Sequence, residues 1–357
     1  MRENETNAPS RRVLLGGAAG AAGLVVLGGA PAEAAGSPRP HHPHEPHRPH
    51  RPRRLRVLVA TNEPWGTYHV APLLAEAARR GAHLTQIVPD RSQVKPGDPV
   101  RVATPDDAPR ADLLAVTGAG DWPLEVAERF RRLPLAASSL AYLGPDRAPG
   151  ARRLRHRVRA VTSSSAAEAR AFGSYLGVRR RIRVVGSPQT DALPARSPEK
   201  GLVLVVTSVT HPDGTGGAAP GTELLLAAAE RIEASGRRVL VGLHPREDRR
   251  LWERYEISSV PTLQASARAE AAIGIPGTIF PLVAAVGTPV VGCTDPRLNV
   301  PGYLTSVCSS TIRSADEAVP AVTGARLPDA ATLADAVGPV GGSAARLLDA
   351  WTRAAHP

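Results

Sequence analysis

The chain has 357 residues, with 44 Lys and Arg against 33 Asp and Glu, and a formal net charge of +11. Two cysteines exclude a disulfide framework and cannot alone make a tetrahedral metal site, so no resident metal is expected and their role is structural. Aromatic residues at 3 % leave little for base stacking, and no nucleic-acid motif accompanies the basic balance, so nucleic acid is not an expected partner.

At the start of the chain, Ser10-Arg11-Arg12-Val13-Leu14-Leu15 and the Ala/Gly/Leu run over 16–30 read as a twin-arginine export signal. Arg2, Arg11 and Arg12 supply its charged start, and Ala32-Glu33-Ala34 supplies the small residues of a cleavage site. The run is rich in Gly and Ala and short beside the roughly 20 strongly apolar residues that span a bilayer. The signal is therefore placed at 1–34, with the twin-arginine translocation machinery as its partner and an extracytoplasmic destination. No stable transmembrane span is expected after cleavage. Residues 35–54 carry His41, His42, His44, His47 and His50 among Pro and Arg. With almost nothing to bury, this stretch reads as a disordered linker; His-rich tracts also bind Zn or Cu, but nothing here fixes a ligand geometry.

Removing residues 1–54 takes away eight Arg and four Glu, which leaves the body 36 basic and 29 acidic residues. The excess runs through Arg152, Arg153, Arg155, Arg157 and Arg159 and then Arg179, Arg180, Arg181 and Arg183. Arg pairs bidentately with phosphate and carboxylate, so this run points to an anionic ligand or lipid head group, or simply to a solvated basic face.

From Leu55 onward, short β-branched runs alternate with Ala/Leu/Arg segments, the pattern of parallel sheets covered by helices. Strands are predicted at 55–60, 83–88, 113–116, 135–137 and 158–162, with helices at 70–80, 123–132 and 165–176. A second series has strands at 202–207, 239–243, 271–273 and 289–292, helices at 222–235 and 279–286, and a final amphipathic helix at 343–355. About 300 residues is large for one sheet. The fold class is therefore α/β, with two Rossmann-like lobes facing one cleft: an amino-terminal lobe at 55–190 and a carboxyl-terminal lobe at 191–357 that includes the last helix.

Ligands of such sheets sit beyond the carboxyl ends of the strands, so the loops after strands hold the candidates. The first loop runs Asn62-Glu63-Pro64-Trp65-Gly66-Thr67-Tyr68-His69 into a helix, where His69 is either a general base toward a hydroxyl or a helix-cap histidine. Gly118-Ala119-Gly120-Asp121 offers Asp121 either to orient that base or to cap the helix that Pro123 opens. In the second lobe a Gly/Ser/Thr loop containing Gly214, Gly216 and Gly217 has the character of a phosphate cradle. His244 and Arg246 follow a strand, and Gly277-Thr278 opens a helix whose N-terminus suits an anion, or is a plain capping turn.

Taken in order, these clusters resemble the GT-B glycosyltransferases. Gly66-Thr67-Tyr68-His69-Val70-Ala71-Pro72 is similar to the Gly-x-x-His-Val-x-Pro loop of UDP-sugar-dependent enzymes. Gly186-Ser187-Pro188-Gln189-Thr190-Asp191 resembles the Gly-x-Pro-Arg-x-Asp segment of CDP-glycerol glycerophosphotransferases, with Gln189 where Arg is typical. His244-Pro245, Gly277-Thr278 and Gly287-Thr288-Pro289 resemble the His-Pro, the donor-phosphate turn and the closing Gly-x-Pro. The resemblance implies an acceptor-side His69, a donor side at His244, Arg246, Thr278 and the 214–217 loop, and direct transfer without cofactor or metal. The donor it implies is a nucleotide diphosphate or lipid phosphate, and the acceptor a glycan or polyol-phosphate polymer of the cell envelope. The family carries a carboxylate seven residues before the closing proline, where this chain has Leu282. A non-catalytic binding protein and a sugar-nucleotide epimerase or hydrolase are the alternatives on the same fold.

Overall fold

The computed structural model describes residues 54–143, 147–178, 182–211 and 218–356. The signal expected at 1–34 and all of the expected linker but Arg54 lie outside the described residues, as do Gly214, Gly216 and Gly217.

Two parallel sheets form the body. The first contains β1 (Arg56–Thr61), β2 (His83–Ile87), β3 (Val102–Ala103), β4 (Leu113–Thr117), β5 (Leu135–Ser138), β6 (Val158–Ser163) and β7 (Arg183–Val184) in the order β3-β2-β1-β4-β5-β6-β7. The second contains β8 (Glu199–Val206), β9 (Arg238–Gly242), β10 (Glu256–Ile257), β11 (Ala269–Gly274), β12 (Val290–Cys293) and β13 (Cys308–Ile312) in the order β10-β9-β8-β11-β12-β13. Each order reverses once, between β1 and β4 and between β8 and β11, and that switch point is where a doubly wound sheet leaves a crevice. Continuous apolar runs such as Leu202-Val203-Leu204-Val205 are buried, as strands covered on both faces by helices must be.

Helices α1 (Thr67–Val70), α2 (Leu74–Arg80), α3 (Asp121–Arg129) and α4 (Ala166–Leu176) flank the first sheet. The second is flanked by α5 (Thr222–Ala234), α6 (Thr262–Ser266), α7 (Phe280–Val286), α8 (Gly302–Thr305), α9 (Ala318–Thr323) and α10 (Ala330–Val337). The helix predicted at 70–80 is two helices joined by a 3-10 turn over Ala71–Leu73, because Pro72 has no amide to continue the ladder. Helix α4 begins where Ser165 accepts the Glu168 N–H and ends at Gly177, whose φ of 64° is left-handed.

The last helix, α11 (Ser343–Ala355), follows the second lobe in sequence and packs back on the first. Leu347, Leu348 and Trp351 are buried with Leu55, Val57 and Leu113 in the core of the first lobe. Asp191 holds the helix there by accepting the Ser343 and Ala344 N–H groups at 2.7 and 2.8 Å, so a carboxylate sits on the positive end of α11. Gly186 makes room: at φ 84°, a Cβ there would fall 2.2 Å from the Pro339 carbonyl.

Between the lobes, Tyr142 and Ala167 from the first pack against Leu282, Tyr303 and Leu304 from the second. The Tyr303 hydroxyl donates to the Leu143 carbonyl, and that of Tyr142 donates to the Val337 carbonyl at 2.6 Å. The loops that carry these contacts are organised by Glu168, which is fully buried and accepts from the Ser139 and Ser163 hydroxyls and the Leu143 and Ser164 N–H groups at 2.6–2.7 Å. Four donors satisfy a carboxylate that burial alone would make very costly.

Both cysteines are free. Cys308 pairs with Val290 and Cys293 with Ile312, three residues along the ladder, and the two belong to cores on opposite faces of the sheet. That separation, roughly 10 Å, exceeds the reach of a disulfide. Among the described residues no helix is long and apolar enough to cross a membrane.

Candidate functional site

The loop after β1 is built around Gly66. A Cβ at this position would lie 2.9 Å from the His69 ring and 3.1 Å from Glu63, so only glycine lets the turn bring His69 back over the loop. Gln86, buried in β2, pins the loop by donating to Thr61 Oγ1 at 3.0 Å and to the Pro64 carbonyl at 2.9 Å. Replacing Gly66 with Ala is expected to displace the imidazole and to slow any reaction that uses His69 about 10²-fold. Circular dichroism and ligand affinity should change little; an unimpaired variant would mean that the position of His69 is unimportant.

His69 lies in the wall of a cavity of about 760 Å³ between the two sheets. Its Nδ1 is 3.3 Å from the amide nitrogen of Gln189, so the residue that stands where the family has Arg contacts the imidazole. Burial lowers the His69 pKa to about 4, against the raising influence of Glu63. The Tyr68 ring lies 4.2 Å from it, and the Tyr68 hydroxyl donates to the Glu63 carboxylate. Burial pushes the Glu63 carboxyl up, but the Tyr68 hydrogen bond and the neighbouring His69, Arg246 and His244 hold it below its ordinary range.

From the other lobe come His244 and Thr207. Thr207 Oγ1 accepts the His244 N–H at 2.7 Å, which fixes the strand end. His244 Nδ1 accepts the Arg246 N–H at 3.2 Å, so in the neutral ring Nε2 carries the proton. Burial lowers the pKa of His244. Arg246 reaches across the cleft to Glu63, with 3.7 Å between guanidinium and carboxylate. One cleft therefore joins two imidazoles that are both neutral near pH 7 and one cross-lobe ion pair.

Thr278 lines the same cavity, as do Ile279 and Leu282. The helix that follows is a weaker anion site than its sequence suggested, since the Phe280 N–H is bonded to the Gly277 carbonyl and Pro281 has none. A Cβ on Gly277 would meet only the Ile275 carbonyl, at 3.7 Å, so packing does not demand glycine there. Thr288 of the closing Gly-Thr-Pro is fully buried and donates to the Ser266 carbonyl, which is a structural task. Leu282 fills the carboxylate position with an apolar side chain that belongs to the interlobe cluster.

Asp121 is not brought to His69. It is the exposed first residue of α3 and does not line the cavity. The glycines before it serve Asn62, whose Oδ1 accepts the Gly120 N–H at 2.9 Å, and Gly118 has a φ of 108° that leaves no room for a Cβ. Sequence reading missed Glu63 and Gln86, and also Glu247, which accepts from the Thr210 N–H and hydroxyl. Each has a partner that is distant in sequence: Arg246 for Glu63, Thr61 for Gln86 and Thr210 for Glu247. Among the described residues no cluster of three or more His, Cys, Asp or Glu could hold a metal ion.

No protein-family model matches the chain, and no curated protein matches its sequence. Solved structures do resemble it. The UDP-GlcNAc 2-epimerase of Methanocaldococcus jannaschii, in complex with UDP-GlcNAc and UDP, aligns with a TM-score of 0.55 at 13 % identity over 84 % of this chain and 99 % of that one. The wall teichoic acid polymerase TagF, soaked with CDPG, gives 0.56 at 11 % identity over 85 % and 89 %. The calicheamicin glycosyltransferase CalG4 gives 0.50 at 15 % identity over 85 % and 97 %. The likeness establishes the fold, which is that of the GT-B glycosyltransferases.

Proposed function

We propose that the protein is a GT-B-type transferase that moves a glycosyl or glycerophosphoryl group from a phosphate-linked donor to a hydroxyl of a cell-envelope glycan or polyol-phosphate polymer. The observation that carries this reading is the convergence of His69 and His244, one from each sheet, on one cavity of about 760 Å³. In the reaction the acceptor hydroxyl gives its proton to His69 and its oxygen bonds to the donor's anomeric carbon or phosphorus. The bond to the leaving phosphate oxygen breaks, and the Nε2–H of His244 donates to that oxygen. With the Gln189 amide turned so that its oxygen accepts the Nδ1–H of His69, Nε2 of the neutral ring is unprotonated and takes the substrate's proton.

Fold neighbours solved with UDP-GlcNAc and with CDPG support a nucleotide-linked donor. The Ser10-Arg11-Arg12 motif supports an extracytoplasmic site of action, where a lipid phosphate is the accessible alternative. A second reading, binding of a phosphorylated glycan without transfer, is favoured by Leu282, since an apolar side chain cannot accept from ribose hydroxyls.

Calorimetric titration with UDP, CDP, polyprenyl phosphate and their glycosylated or glycerol-bearing forms tests the reading. Saturable binding of one class, abolished by Thr278→Trp, is the expected result. Binding without donor breakdown would favour the second reading, and no binding by any class would remove both. Inversion of a UDP-N-acetylhexosamine without acceptor would identify an epimerase.

A further inference from the structure

The basic run that starts at Arg152 is not part of the cleft. Ala151–His156 is a 3-10 segment of sequence Ala-Arg-Arg-Leu-Arg-His. Three residues per turn put Ala151 and Leu154 on one side, where they are buried, and leave Arg152, Arg153, Arg155 and His156 exposed. The segment therefore presents positive charge all along its outer face with no acidic residue.

Two grooves lie beside it. One, of about 560 Å³, is lined by Arg152, Arg155 and Arg170, and the other, of about 710 Å³, by Arg159, Arg183 and Arg353 among others. No Asp or Glu lines either groove. Elsewhere on the surface arginines such as Arg56, Arg91, Arg231, Arg254 and Arg297 are held in carboxylate ion pairs. At this edge Arg170 has Asp335, whereas Arg152, Arg153 and Arg183 have no carboxylate partner among the described residues. Arg157 directly precedes β6 and Arg183 opens β7, so the patch sits at the amino ends of the strands, away from the cleft at their carboxyl ends.

We propose that this edge binds a linear, phosphate-bearing polymer without bases, whose phosphates seat against guanidinium groups in the two grooves. Guanidinium forks match phosphate oxygens bidentately, and concave grooves suit an extended chain. No Phe, Tyr or Trp lines either groove, so stacked bases find no platform. The exposed large hydrophobic residues among those described are Val260, Leu327 and Val340, none of them at this edge, so nothing here enters a bilayer.

The test is fluorescence titration of the full chain with long-chain inorganic polyphosphate, with oligo-dT, and with phosphatidylglycerol vesicles. Arg152→Glu/Arg153→Glu/Arg183→Glu is expected to weaken polyphosphate binding at least about tenfold and to flatten its salt dependence, as loss of released counterions requires. Arg152→Gln/Arg153→Gln/Arg183→Gln should act in the same direction, while Arg231→Glu/Arg254→Glu/Arg297→Glu on the second lobe should change affinity less than about threefold. Thermal melts confirm that each variant is folded. Undiminished binding by the patch variants, oligo-dT bound as tightly as polyphosphate, or capture by vesicles alone would each overturn the proposal.

Discussion

His69→Ala is expected to lower turnover by about 10²–10⁴-fold, the range that a positioned proton acceptor contributes. The fold should survive, because the ring lines a cavity and the helix it belongs to is only four residues long. The pH profile should identify the group. Burial takes the His69 pKa down to about 4, so the ring is already neutral through the ordinary histidine range. In the free enzyme kcat/KM should therefore stay level as pH falls past 6.5 and decline only toward about 4. The same shift acts on stability. Between these values the unfolded chain binds the proton and the folded chain does not, so acidification through this window favours unfolding by on the order of 3 kcal/mol. His69→Ala should lose that acid sensitivity as well as the activity. Retention of a third or more of wild-type turnover would assign the proton to another group.

Trp351→Ala is expected to destabilise the protein by about 3–5 kcal/mol, the range for removing a large aromatic from a core. Trp351 is fully buried in the first lobe, and its Nε1 donates to Ser138 Oγ at 2.9 Å. Truncation opens a cavity and leaves a buried hydroxyl with one partner fewer, although Thr162 still donates to it. Urea unfolding should show the midpoint fall with little change of slope. The consequence reaches the site. Asp191 is tied to the start of α11 and Gln189 to His69, so loosening this helix loosens the segment that positions the imidazole. A midpoint unchanged from wild type would mean that α11 contributes little to the first lobe.

Much of the fold was readable because buried parallel strands are continuous runs of Val, Leu, Ile and Ala, as in β1, β4 and β8. The strands that escaped are of two kinds. β3, β7 and β10 are two residues long and sit at sheet edges, too short to make a pattern. β13 reads Cys-Ser-Ser-Thr-Ile, a polar stretch that only its pairing with β12 makes a strand.

The site divides in the same way. His69 and His244 were visible because they follow strands, and a loop at a strand's carboxyl end is where chemistry collects. The role of Asp191 was hidden because its partners, Ser343 and Ala344, are 152 and 153 residues away. Glu63 looked like one more loop carboxylate until Tyr68 and, from the opposite lobe, Arg246 were found beside it. Asp121 lies outside the cavity, and the glycines of its Gly-x-Gly-Asp turn make room for Asn62.

The most direct test of group transfer in this cleft is a product assay. The purified chain is incubated with a panel of nucleotide-linked and polyprenyl-phosphate-linked glycosyl and glycerol donors, with and without a glycan or polyol-phosphate acceptor, and the products are weighed by mass spectrometry. A transferase yields an acceptor heavier by one donor group together with an equal amount of released nucleotide or lipid phosphate, and His69→Ala loses both. Donors that all remain intact with every acceptor, under conditions where one of them binds, would contradict it.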